Sequence, residues 1–192
     1  LFDEMFHSIV LFEGEHPLDQ LINQLKDKKS LDKVPNLIYV KNGEVVRNTS
    51  AKALSYDQLA CPNFDDLPLN KYLMPYPVLP YMASRGCYWG KCTFCTHSFI
   101  YDSHYRKENE ERVAEELDYL GKRYKTKYFT FSDEAISPNA FDRMSKAILS
   151  QGVEMRALGM LKFESDSIET VELFKNMYKA GFLMLFFGLE SA

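Results

Sequence analysis

From Tyr81 to Phe187 the sequence alternates short β-type runs with segments of helical periodicity, and that rhythm admits few architectures. Tyr81–Ser84 reads as a strand. Val113, Leu117 and Leu120 predict a helix over Glu110–Tyr124 with one apolar face inward. Tyr128–Phe131 is the next strand. Ser137 and Pro138 then supply the cap and first turn of a second helix, which buries Phe141, Met144 and Ile148 and closes at Gly152. Val153–Leu161 follows as a strand, although Gly159 interrupts it. Asp166 and Glu169 have capping-box spacing for a third helix, with Val171, Phe174 and Tyr178 inward and Gly181 as the stop. Phe182–Phe187 is the fourth strand. Strands that alternate with helices pair in parallel, so an α/β fold is expected, its sheet open or closed into a barrel. In barrels the loops at the C-terminal strand ends carry the chemistry.

The first third of the chain reads differently. Ser8–Phe12 is an apolar run suited to a buried parallel strand, and a Glu-Gly-Glu turn follows it. Pro17 opens a helix with Leu18, Leu21, Ile22 and Leu25 at helical spacing. A single βα unit cannot bury both its faces, which predicts part of a larger α/β domain. Asn36–Val40, Asn42-Gly43 and Glu44–Val46 predict a hairpin, because Asn-Gly favours the tight primed turn. Five prolines from Pro62 to Pro80 then punctuate a stretch that no helix can cross. The expected division is an α/β portion over 1–48, a Pro-rich linker over 49–80 and a third part over 81–192. The chain opens on Leu1 and stops after the fourth strand, so an internal fragment of a longer protein is expected.

Three of the four cysteines fall in one loop, as Cys87-x-x-x-x-Cys92-x-x-Cys95, while Cys61 stands apart as a bystander thiol. Thiols this crowded, with no secretory signal ahead of them, point to metal ligation and to a reducing cytoplasm. The net charge of -4 gives no reason to expect nucleic acid or an anionic membrane as partner. No apolar run approaches the roughly 18 residues of a spanning helix. Three metals compete for the thiols. A plant-type ferredoxin cluster needs a fourth, later cysteine, and none follows Cys95. Zinc on three cysteines and His97 is the second reading, and an iron–sulfur cluster with one open iron is the third. Three thiolates from a single loop at a barrel mouth favour the third, with zinc as its rival.

The run Ser84-Arg85-Gly86-Cys87, with Cys92 and Phe94-Cys95, resembles the radical S-adenosylmethionine (radical SAM) superfamily. So do Tyr105-Arg106, Phe131–Glu134 and Phe187–Ser191 further on. Segments Ile9–Leu25, Pro35–Tyr39 and Asn63–Pro68 narrow the likeness to the branch with an N-terminal cobalamin-binding domain. The resemblance implies the first four β/α units of a partial TIM-type barrel. The C-terminal end of a Rossmann-like cobalamin-binding domain and a linker would precede them.

It also implies a 4Fe–4S cluster on Cys87, Cys92 and Cys95, its open iron chelated by S-adenosylmethionine, whose reductive cleavage gives a 5′-deoxyadenosyl radical. By the same resemblance Phe94 lies near the adenine, and Ser132, Asp133 and Glu134 stand where the amino group binds. Arg156 is a candidate for the carboxylate, and Glu190 and Ser191 for the ribose or methionyl part. Cobalamin, a small-molecule or peptide substrate and an electron donor such as flavodoxin or ferredoxin complete the expectation. The reaction would be C-methylation or a ring-forming oxidation. The alternatives are a methylthiotransferase-like relative and a zinc-stabilised binding module without catalysis. Two departures stand out: the first cysteine gap is four residues where three is usual, and Lys162 stands where relatives often place an arginine.

Overall fold

The computed structural model describes residues 6–96, 105–162 and 171–188. Strand β1 (Ser8–Val10), helix α1 (Glu15–Lys26) and strands β2 (Leu37–Lys41) and β3 (Glu44–Arg47) form the N-terminal layer. The hairpin falls where Asn-Gly predicts it: Asn42 and Gly43 have φ of 54° and 81°, and Lys41 pairs with Glu44. The parallel strand expected over Ser8–Phe12 is instead a three-residue antiparallel partner of β2, and Phe12 is half-exposed. An apolar run reports burial but not the direction of its partner. Helix α1 buries Pro17 and Leu21, whereas Leu18, Ile22 and Leu25 stay exposed. Leu21, Val34, Leu37 and Tyr39 make this layer's small core.

The larger core belongs to a four-stranded sheet, β4 (Val78–Tyr81), β7 (Tyr128–Phe131), β8 (Arg156–Lys162) and β9 (Phe182–Gly188), adjacent in that order and all parallel. Helices α2 (Glu110–Tyr124), α3 (Pro138–Ser150) and α4 (Val171–Ala180) alternate with the strands. Asn109 caps α2 by accepting from the N–H groups of Glu111 and Arg112, and Ser137 caps α3 by accepting from Ala140. The capping box expected at Asp166 and Glu169 lies outside the described residues.

Alternate strand residues face the helices. Leu79, Tyr81, Phe129, Phe131, Ala157, Leu161 and Phe182 are buried with Val113, Leu117, Phe141 and Ile148. Gly159 does not interrupt β8. A Cβ there would stand 3.0 Å from Cζ of Phe141, so the missing side chain makes room for that ring against the sheet.

Two boundaries shift from the sequence reading. Strand β4 starts at Val78, before the expected Tyr81, and takes in Pro80. It is an edge strand, where an absent N–H is tolerated. Ser84 belongs instead to β5 (Ser84–Arg85), which pairs antiparallel with β6 (Arg106–Lys107). The stretch ahead of β4 lies along α2. Arg112 donates to the carbonyls of Asp57 and Leu59, and the Tyr124 hydroxyl accepts from the Phe64 N–H at 2.7 Å. Cys61 packs partly buried against the main core, and burial, with Glu116 nearby, pushes its thiol up to about 11. Among the described residues, no helix is long and apolar enough to cross a membrane.

Candidate active site

The C-terminal ends of the parallel strands share one cavity of about 440 Å³. Cys87, Trp89, Cys92, Phe94 and Cys95 line it from the loop after β4. Ser132–Ala135 after β7, Met160–Lys162 at the end of β8 and Gly188 at the end of β9 complete the wall. Two features read from the sequence at strand ends, the cysteine loop and Ser132–Glu134, therefore meet here, while Glu190, Ser191 and His97 lie outside the described residues.

The cysteine loop is fastened at several points. Strands β5 and β6 close its base, and Cys87 makes a parallel bridge with Ala135 beyond β7. Within it the Cys95 N–H donates to the Cys92 carbonyl at 3.2 Å. Gly90 has φ of 61°, a left-handed conformation that costs glycine little, so the four-residue gap closes without strain. Trp89 lies in the same gap and is partly exposed. The Lys162 ammonium at the end of β8 lies 3.9 Å from its ring centroid, and that of Lys91 lies 5.1 Å away. The Lys162 cation thus holds the loop through a π-face, an interaction of about 0.5–1 kcal/mol at a partly exposed site.

Asp133 is anchored at the root of the cysteine loop. It is 2 % exposed; Oδ2 accepts from the Ala83 N–H at 3.1 Å, and Oδ1 accepts from the Ser84 hydroxyl at 2.6 Å. Both oxygens are therefore engaged at the root of the cysteine loop, which makes Asp133 a positioning residue. Ser132 is exposed beside it, and Glu134 lines the cavity. Burial pushes the Asp133 carboxyl up to about 6, against the opposing bonds from Ser84 and Ala83, and the Glu134 charge adds to the rise.

Between about pH 4 and 6 the folded state then holds more protons than the unfolded state, so stability falls as pH rises through that window. The loss attributable to this group is about 2–3 kcal/mol. Asp133→Asn keeps an acceptor for Ala83 and gains a donor for Ser84, so urea unfolding should find this fall between about pH 4 and 6 absent when the variant is compared with wild type. Asp133→Ala strands two buried donors and should cost about 2–4 kcal/mol at pH 4.

Arg156 is not part of this constellation. It is the first residue of β8, exposed at the opposite end from Lys162. Six residues of strand put roughly 20 Å between the two positions, which removes Arg156 as a contact for anything bound in the cavity. Phe94 is 69 % exposed at the cavity edge. The sequence reading did not connect Trp89 with Lys162, because their contact joins the cysteine loop to the end of a strand far along the chain.

Cys87, Cys92 and Cys95 are free of disulfides and partly exposed. They supply the donor chemistry of a thiolate-held cluster and border one cavity. Among the described residues, no three His, Cys, Asp or Glu side chains are gathered closely enough to hold a metal ion. The thiols fit a cluster in kind and location, and loading would draw them together, as ligation does where a site is not preformed.

No family model matches the chain. An uncharacterized methyltransferase of Pyrococcus horikoshii is 31% identical over 193 residues, spanning 96% of this chain and 40% of that protein. The 4'-phospho-dehydrooxetanocin synthase of Priestia megaterium is 31% identical over 121 residues, spanning 61% of this chain and 16% of that protein. The chain thus spans well under half the length of these relatives. Among solved structures, the cobalamin-dependent S-adenosylmethionine radical enzyme OxsB, with aqua-cobalamin and S-adenosylmethionine bound, superposes with a TM-score of 0.76 and 23% identity, covering 96% of this chain and 28% of that one. The radical S-adenosylmethionine methyltransferase TsrM of Kitasatospora setae, with cobalamin and a 4Fe–4S cluster bound, gives 0.66 and 13%, covering 95% and 38%. The chain is thus similar in sequence to part of these two relatives, and it shares the fold of the corresponding part of the cobalamin-dependent radical SAM enzymes OxsB and TsrM.

Proposed function

We propose that this chain is the part of a cobalamin-dependent radical SAM enzyme that holds the iron–sulfur cluster and S-adenosylmethionine. One observation carries the reading: the three thiols of one loop and the Ser132–Glu134 segment border a single cavity at the C-terminal ends of a parallel sheet. Cys87, Cys92 and Cys95 would hold a 4Fe–4S cluster. When bound, the cluster supplies one-electron reduction of the sulfonium of S-adenosylmethionine, and cobalamin supplies a carrier for a methyl group.

The chain's own residues orient and enclose. Phe94 offers a ring face for the adenine, Ser132 and Glu134 offer acceptors for the amino group, and the Lys162 ammonium brings positive charge to the same wall. Trp89, Met160 and Leu161 give that wall an apolar lining that limits water. Glu190 and Ser191 are proposed to contact the ribose or methionyl part, and residues 1–48 to belong to a cobalamin-binding domain. A small-molecule or peptide substrate and a flavodoxin- or ferredoxin-like electron donor are proposed as partners. Between C-methylation and ring-forming chemistry, the description of the Pyrococcus relative as a methyltransferase favours methylation.

Anaerobic reconstitution with iron and sulfide tests the reading. Roughly four iron atoms per chain are expected, with an electron resonance signal that changes on adding S-adenosylmethionine. Tight zinc binding without a cluster would assign the loop to a non-catalytic zinc module instead.

A further inference from the structure

The two short strands that close the cysteine loop each carry an arginine, and both arginines reach the same carboxylate. Arg85 in β5 and Arg106 in β6 are cross-strand partners. Arg85 Nη1 donates to Glu13 Oε2 at 2.6 Å, and Arg106 Nη2 donates to Glu13 Oε1. Arg85 Nη2 also donates to Glu15 Oε1 at 2.5 Å, and Arg106 Nη1 donates to the Leu54 carbonyl. Glu13 and Glu15 flank the turn between β1 and α1, so the contacts join the N-terminal layer to both feet of the loop that carries the thiols.

The two acids are not equivalent. The Glu13 side chain is 9% exposed and each arginine 19%, whereas Glu15 is 42% exposed. An exposed pair contributes little, since water and salt compete for both ions. A shielded carboxylate shared by two cations is different: without it, like charges face each other across a strand pair with little solvent to screen them.

We propose that Glu13 is a positioning residue, a clamp through which the N-terminal layer holds the cysteine loop closed at its base. The order of the three thiols is then set from outside the parallel sheet. A state of the N-terminal layer that moved the Glu13–Glu15 turn would release the loop, and with it any group the thiols hold. That last consequence rests on the cluster reading above; the clamp itself does not.

Hydrogen exchange on the full-length protein, before any metal is added, tests the clamp. In Glu13→Gln the backbone amides of 84–85 and 106–108 should exchange at least ~100-fold faster than in wild type, with those of β7 unchanged. In Glu15→Gln the same amides should change about fivefold or less. Glu13→Gln combined with Arg106→Gln removes a facing charge along with the carboxylate, and should regain most of the lost protection even if the single variant folds poorly.

Unchanged exchange at the clasp in Glu13→Gln, or an equal rise in β7, would overturn the clamp. After anaerobic reconstitution, Glu13→Gln should keep less than half of the wild-type iron on gel filtration, while Glu15→Gln keeps nearly all. Equal retention in the two variants would break the link from clamp to thiols. A wild type that takes up no iron would refute the cluster reading, and the exchange data would still decide the clamp.

Discussion

Replacing Cys92 with alanine is expected to reduce iron in the reconstituted protein to background while leaving the helical circular dichroism unchanged. Cys92 lies in the loop, partly exposed and outside both hydrophobic clusters. Its carbonyl accepts the Cys95 N–H, a backbone bond that alanine retains. A substitution of this kind, away from core and caps, shifts stability by about 0.5 kcal/mol or less. The loss therefore falls on ligation alone: two thiolates remain where three are needed. Retention of wild-type iron by the variant would contradict the ligand set, and a parallel loss of helix would place Cys92 in the fold instead.

The second large effect concerns the fold and a residue with no side chain. Gly181→Ala should lower the unfolding free energy by more than about 3 kcal/mol. Gly181 has φ of 109°, and a Cβ there would stand 2.1 Å from the Met155 carbonyl oxygen and 2.8 Å from its carbon. The clash cannot be relieved by a small shift. The Gly181 N–H is shared between the Met177 and Tyr178 carbonyls, and its own carbonyl accepts from Ala157, so the residue ties α4 to β8 and β9. Gly152→Ala is the natural comparison. Its φ is 66° but nothing lies within 4 Å of an added Cβ, so it should cost about 1 kcal/mol. Urea unfolding of the two variants side by side separates the clash from the backbone preference.

Much of the sheet was legible because its signals are local. The apolar spacing in α2, Ser137 with Pro138 at the start of α3, and Asn42-Gly43 between β2 and β3 each act within a few residues of chain. What escaped the sequence acts across it. Asp133 is bonded to Ala83 and Ser84 some 50 residues earlier, and Glu13 reaches Arg85 and Arg106 across 72 and 93 residues. No periodicity encodes such contacts.

Arg156 was misjudged for a more ordinary reason. The resemblance suggested it, whereas the strand begins at Arg156 itself and carries it away from the mouth. Gly159 looked like a flaw because its meaning lies in the size of Phe141, on another element. The place of the three thiols at one cavity with Ser132–Glu134 followed from the strand order.

Pro80 in β4 has a consequence for how the sheet can be extended. A parallel strand recruits a neighbour through a row of alternating donors and acceptors, and a proline removes one donor from that row. The two borders of the sheet are thus chemically unequal, β4 a poor template and β9 a complete one. Any added strand, whatever its source, is favoured beside β9, which gives the sheet a growing side and a blocked side, a polarity written into the backbone by a single ring.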